Sequence, residues 1–206
     1  MANYSENKIV FFSEDRVALK DLWQKIYTYY VNNGNGNSIY NFLLKMGYSI
    51  NEVNQMTDLR NVFTSCDDKV TDDEFNSFFY IETETAWESN LEVFYDIIRD
   101  IYDNKIDMYA IVEESGCNIF INTDIDGTYL GTRYKLDCFI NNEEMVKYFE
   151  NFGELKQFVQ QKFTKIKLMP RDDSEIIIRK ITKAYKLEDD EDFCVAIHHF
   201  GYEYPF

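Results

Sequence analysis

Glu82 and Glu84, with Glu113 and Glu114, place carboxylates near the ends of two extended segments. Two carboxylates held across a cleft can do acid and base work on a glycosidic bond. Sequence does not set their separation, and carboxylates flanking strands in an acidic segment read as a solvated rim. "NTDIDG" (122–127) puts Asn122, Asp124, Asp126 and Gly127 where a calcium loop has its first ligands. Its twelfth position is Arg133, a cation where a bidentate glutamate belongs, so the stretch reads as a hairpin turn. His198 and His199 are strand neighbours and point to opposite faces, so they do not converge on one metal or substrate. Cys66, Cys117, Cys138 and Cys194 are scattered. Their spacing fits neither a zinc site nor a dense disulfide framework, and they read as reduced thiols of a cytoplasmic protein. The chain has neither a Gly-x-Ser-x-Gly elbow nor a glycine-rich loop before a helix. This reading assigns no catalytic residue, metal or cofactor.

Those residues sit on elements that the periodicity predicts. "KIVFFS" (8–13) reads as a strand, and Ser13 precedes a long helix whose face is Val17, Leu19, Leu22, Trp23, Ile26, Tyr27 and Tyr30. "NNGNGN" (32–37) ends that helix. Residues 38–48 form a second one stopped by Gly47, and 49–58 are polar with no clear period. "RNVFTSC" (60–66) and "FNSFFYIETE" (75–84) read as strands around the acidic connector "DDKVTDDE" (67–74). In the second strand Phe78, Tyr80 and Glu82 face one way, and Phe79, Ile81 and Thr83 the other. Leu91, Phe94, Tyr95, Ile98, Ile101 and Tyr102 then follow a helical period, with Ser89 and Glu92 spaced as a capping box. Trp87, at the strand-to-helix join, reads as a cover for the end of the core. Three strands follow at 107–114, 118–123 and 129–140, linked by Ser115-Gly116 and Asp126-Gly127. Beyond Ile140 the pattern predicts helix through about Phe163, broken at Gly153, then a helix over 174–186 and a closing strand over 193–204. The expected fold is α+β: a ferredoxin-like split βαβ antiparallel sheet with helices on one face, plus a mainly helical C-terminal extension. The expected division is a core over 1–140 and an extension with its closing strand over 141–206, packed on the core.

With 45% hydrophobic residues in 206, the chain can bury a sizeable core without staples. No run approaches the roughly 18 apolar residues of a membrane span, and the opening "MANYSENKIVFF" lacks the plan of a secretory signal. Net charge is −16, and residues 61–130 alone carry 17 acidic against 3 basic residues, net −14. Direct nucleic-acid binding is disfavoured by that balance. A protein partner with a basic surface is favoured, including one that normally binds nucleic acid. The acidic clusters are 67–74 and 187–193. The expected partner-facing residues are Asp67, Asp68, Asp72, Asp73, Glu74, Glu82, Glu84, Trp87, Glu113 and Glu114.

Three short segments carry a resemblance. "MANYSENKIVFFSE" resembles the "MANW-x-x-N" opening of YubB-like, ferredoxin-like-domain proteins from plasmids, phages and bacterial genomes. "YIETETAWESNLEVF" is similar to their "Y-x-T-x-W-x-P-N" element, and "YAIVEESGCNIF" to their "Y-x-E-x-G-N-x-x-Y" hairpin. Matching positions are Ala2, Asn3, Asn7, Glu84, Thr85, Trp87, Asn90, Glu113, Glu114, Gly116 and Asn118. Tyr4 replaces the usual Trp, and Ser89 stands where Pro is usual. The resemblance covers about residues 1–135. It implies the same fold and a setting among mobile elements, with no catalytic residues. The expectation is a non-enzymatic acidic binding protein, one version of which inhibits a bacterial defence nuclease by occupying its nucleic-acid channel. The alternatives are a ligand or enzyme module built from Glu82, Glu84 and Glu113 around Trp87, and a structural accessory protein that forms homo-oligomers.

Overall fold

A computed structural model of the chain describes residues 4–33, 37–57, 59–86, 89, 91–140, 143–185 and 194–202. It contains two units, one running from the N-terminus to Asp124 and one spanning Ile125–Tyr202.

The first unit is organised by strand β1 (Tyr4–Ser13), which pairs antiparallel with β4 (Ser77–Ala86) on one edge and β5 (Asp107–Glu114) on the other. Strand β2 (Val62–Cys66) and the two-residue β3 (Thr71–Asp72) pair with β4, and β6 (Ile119–Asn122) pairs with β5. The sheet order is β2-β4-β1-β5-β6, with β3 beside β4. One face carries Ile9, Phe11, Phe79, Ile81, Met108, Ala110 and Val112. Against it pack α1 (Arg16–Asn33), α2 (Ile39–Met46), α3 (Ile50–Met56) and α4 (Leu91–Tyr102). Phe11 anchors this core, stacked on Phe79 at 5.2 Å and edge-on to Phe94 at 5.6 Å.

Helix starts and stops follow local chemistry. Asp15 begins α1, its Oδ1 accepting the Val17 and Ala18 N–H groups at 3.1 Å each. The buried face of α1 is Leu19, Leu22, Ile26 and Tyr29. That corrects the predicted face: Val17 is 81% exposed and Tyr29 only 5%. Gly47 ends α2 at φ +104°, a left-handed conformation that a side chain would disfavour. The stretch 49–58 contains α3, which the sequence reading left unassigned. Ser49 Oγ accepts the Glu52 N–H at 3.3 Å while Glu52 Oε2 accepts the Ser49 N–H at 2.7 Å, a reciprocal capping box. Helix α4 opens at Leu91, so its cap position, residue 90, lies outside the described residues.

The second unit has its own antiparallel sheet, in the order β8-β7-β9. Its strands are β7 (Tyr134–Ile140), β8 (Glu143–Phe149) and β9 (Cys194–His199). Helices α5 (Phe152–Lys162) and α6 (Ser174–Tyr185) bury Leu155, Val159, Ile177 and Ile181 against Leu136 and Cys138. Four expectations change here. Residues 129–140 do not extend the first sheet, because β7 pairs with β8 and β9. The Asp126-Gly127 turn lies at the start of the second unit and joins no two strands of one sheet; beside it Arg133 donates to the carbonyls of Ile125, Leu130 and Thr132. Residues 143–149 are strand rather than helix, so the C-terminal part is half sheet. Met145 and Phe149 both pack on the core, and a spacing of four residues suits a strand face as well as a helix face. Gly153 lies inside the first turn of α5 and does not break it.

All four cysteines are free, and burial pushes the Cys66 and Cys138 thiols up to about 12. Among the described residues no helix is long and apolar enough to cross a membrane.

Phe79→Ala removes a fully buried ring from the Phe11 stack. It is expected to cost about 3–5 kcal/mol in urea unfolding. In the second unit the Lys180 side chain and the Met169 N–H hold the Asp172 carboxyl below its usual range. That contribution is fully present above the ordinary aspartate pKa of about 4 and is lost as pH falls through the lowered folded value. Asp172→Asn should therefore lower Tm at pH 7, and the gap to the parent should narrow at about pH 3.

Candidate binding surface

The outward face of the first sheet changes character along its strands. At one end Phe12 and Tyr109 lie 4.9 Å apart and Phe78 and Tyr80 5.8 Å apart. Val10 sits between Tyr80 and Tyr109 in the register and is fully buried. Burial raises the Tyr80 phenol pKa, with smaller contributions from the charges of Asp67 and Asp124. Toward the other end the face becomes acidic. Glu84 pairs with Glu6, and Glu6 with Glu113, so three glutamates stand abreast on β4, β1 and β5. Directly opposed side chains have Cβ atoms about 5 Å apart, and like charges so placed repel. The adjacent row is Glu82, Lys8 and Ile111. Lys8 reaches over the Tyr80 ring, 5.2 Å from its centre. Among the described residues the side chains of Glu6, Glu82 and Glu84 have no ion-pair or hydrogen-bond partner. Glu113 accepts a hydrogen bond from Ser115 Oγ at 3.2 Å.

The inward face of the same strand ends is polar and closed to solvent. Ser5, Asn7, Thr83, Thr85 and Glu114 are all buried. Asn7 Nδ2 donates to Thr83 Oγ1 at 3.3 Å and to Thr85 Oγ1 at 3.1 Å, and Ser5 Oγ donates to Asn7 Oδ1 at 3.2 Å. These bonds tie β1 to β4 through side chains where the apolar core runs out. Glu114, expected beside Glu113 on a partner-facing rim, is 2% exposed on this inner face, and its Oε1 has no hydrogen-bond partner. Strand alternation separates the two glutamates.

The acidic connector divides in the same way. Asp67 accepts the Tyr80 N–H on Oδ2 and the Trp23 indole N–H on its carbonyl, both at 2.9 Å. Asp72 accepts from Ser77 Oγ and pairs with Arg16, both at 2.7 Å. Asp73 caps the turn that carries Phe75 and Asn76. Asp68 and Glu74 are exposed. Trp87 and the cluster 187–193 lie outside the described residues.

Two further loci were not singled out by the sequence reading. Glu92, Asp96 and Asp100 recur every four residues on α4 and meet Glu52, Gln55 and Tyr48 around a cavity of about 260 Å³. Arg99 pairs with Asp96 at 2.6 Å and Asp100 at 2.8 Å, so this stripe is partly neutralised. The Tyr48 hydroxyl there has no partner, and burial, then Asp100 and Asp96, push it up to about 12. In the second unit Asp137 Oδ2 lies 3.1 Å from Lys135 Nζ and 3.3 Å from His198 Nε2. The Lys135 side chain is only 7% exposed, and a lysine so buried needs such a carboxylate. His199 turns to the other face and packs on Tyr134. The signal available in sequence was the Lys-x-Asp spacing, which puts Lys135 and Asp137 on one strand face.

No family model, curated protein or solved structure matches this chain.

Removing the central charge of the glutamate row relieves two like-charge contacts at once. Glu6→Gln is expected to stabilise the protein by several tenths of a kcal/mol, up to about 1, at low ionic strength. The gain should shrink in about 1 M salt, where the Debye length is about 3 Å. Urea midpoints at the two salt concentrations would check it.

Proposed function

We propose that this chain is a non-enzymatic acidic binding protein that engages a basic protein partner through the outward face of its first sheet. The single observation that carries the reading is the Glu84–Glu6–Glu113 row, three carboxylates abreast on neighbouring strands. Such a row is a standing repulsion in the unbound protein, and a partner's arginines or lysines would relieve it. The adjoining Phe12, Phe78, Tyr80 and Tyr109 are half-buried aromatic residues, of types enriched at protein interfaces. In this reading the protein works in the cytoplasm of a bacterial cell carrying a mobile element, and the partner is a nuclease or another protein that ordinarily holds nucleic acid.

The fold we assign is ferredoxin-like, a split βαβ. The succession β5-β1-β4-β2, all antiparallel, supports it, as does the placement of α1 and α4 as the two crossover helices. Of the segments that carry the resemblance to YubB-like proteins, the first and second are tied by the Asn7–Thr85 hydrogen bond at 3.1 Å, and Glu114 of the third is buried on the same face of the sheet.

The test compares the chain with a Glu6→Gln, Glu84→Gln, Glu113→Gln variant as bait in bacterial lysate under rising salt. The parent is expected to retain a nucleic-acid-binding protein at about 0.05 M salt and release it by about 0.5 M, and the variant to release it earlier. Added duplex DNA should compete. Retention of the same proteins by parent and variant at every salt concentration would refute the reading, as would retention of none.

A further inference from the structure

The second unit ends its sheet on an open strand. Among the described residues β8 pairs only with β7, so its far edge leaves backbone N–H and C=O groups without a ladder partner. It is also the longest described strand at a sheet edge, with seven residues against six in β9, five in β2 and four in β6. The register of β2 shifts between Phe63 and Ser65, an irregularity that spoils an edge for further pairing. Strand β8 keeps one register with β7 from Glu143 to Phe149 and contains no proline. Its side chains are open as well: Glu143, Glu144, Val146, Lys147 and Tyr148 are all exposed.

Alternation divides these residues. Met145 packs on the core of the unit, so Glu143 and Lys147 share its face, and Glu144 and Val146 take the other. Glu143, Glu144 and Lys147 have no ion-pair partner among the described residues. A lysine on an edge strand discourages pairing with an arbitrary strand. A second copy of β8 is not arbitrary. Laid antiparallel with Met145 opposite Met145, it sets Glu143 against Lys147 on both sides of the centre, and Glu144 against Val146 on the other face. Twofold symmetry repeats each contact, so this register makes two opposite-charge pairs and directly opposes no like charges. Centring the pair on Val146 would set Lys147 against Met145 and lose both.

We infer that β8 is a self-association edge: two copies of this chain join β8 to β8, antiparallel, about a twofold axis at Met145, and their three-stranded sheets become one continuous sheet. The contact draws on no residue of the first unit, so it stands or falls apart from the glutamate row. Five paired residues per copy make an interface far below the standard size of about 1,600 Å², which puts the dimer in the weak class.

Sedimentation of the full chain from about 10 μM to about 1 mM is the test, in about 0.15 M salt, where a Debye length of about 8 Å screens the −16 net charge of each copy. A monomer–dimer equilibrium is expected, with amide hydrogen exchange slowing at 143–147 as concentration rises. Glu143→Lys and Lys147→Glu, each alone, turn both ion pairs into like-charge pairs and should weaken the dimer about tenfold or more. The two together exchange the charges and should restore it to within about threefold. Both positions are exposed, so the circular dichroism of the variants should match the parent. A monomer at every concentration, a dimer indifferent to the single changes, no recovery in the double variant, or protection gained elsewhere than β8 would each overturn the inference.

Discussion

Everything in the first unit depends on β1 being paired along both edges while presenting different chemistry to its two faces. Its ten residues alternate, so burying Ile9 and Phe11 beneath the helices obliges Glu6 and Lys8 to face outward. A slip of one residue would exchange the two sets and drive charge against Phe94. The register that stacks Phe11 on Phe79 also sets Glu6 between Glu84 and Glu113. The glutamate row is thus a geometric consequence of the core, and relieving its repulsion by shifting the strand would dismantle the hydrophobic layer. The Asn7 network adds a second lock. Its bonds to Thr83 and Thr85 are directional and hold the polar ends of β1 and β4 in one alignment.

The acidic excess of the middle third is not one surface. Asp67, Asp72 and Asp73 are used within the fold, as acceptors for a strand N–H, a serine hydroxyl and a turn. The α4 stripe lies across the sheet from the glutamate row and carries Arg99 between two of its acids. On the sheet face Lys8 stands in the row beside the glutamates and lies over the Tyr80 ring. Net charge along the sequence therefore overstates what any one approaching partner meets.

Much of this architecture was legible from the sequence. The alternation in β4, the amphipathic period of α4, Gly47 as a helix stop and the strand over 107–114 are local signals, and each corresponds to an element of the structure. What was missed has identifiable causes. Ser49-x-x-Glu52 is a capping box in plain view, but only seven helical residues follow it, too few to show a period. Tyr29 rather than Val17 completes the buried stripe of α1, because the helix is rotated by its packing on Phe42 and Phe63. Strand β8 is rich in helix-forming Glu, Lys and Met, and its ladder with β7 overrides that preference. For the site, Glu82 and Glu84 could be placed on one face by counting. Glu6 could not be set beside them, because its neighbours Glu84 and Glu113 are fixed by pairing between segments far apart in the chain. Glu114 was grouped with Glu113 by adjacency, when the period of two should have parted them.

The dimensions of the glutamate row bear on what kind of partner it suits. Strands lie about 4.8 Å apart, so three glutamates on adjacent strands span roughly 10 Å. A DNA duplex presents one negative charge per about 1.7 Å of axis, or about six over the same length. The row has about half that density and stops after three charges, which makes it a poor copy of a nucleic-acid backbone. It suits two or three arginine or lysine side chains gathered in one place, with the aromatic end of the face taking up the apolar surface beside them. A nuclease offers such a place where its channel narrows on the scissile phosphate, and so do many proteins that bind no nucleic acid. In the proposed reading, selectivity therefore has to come from the pairing of acid and aromatic zones on one rigid sheet, because charge alone would attract every basic surface in the cell.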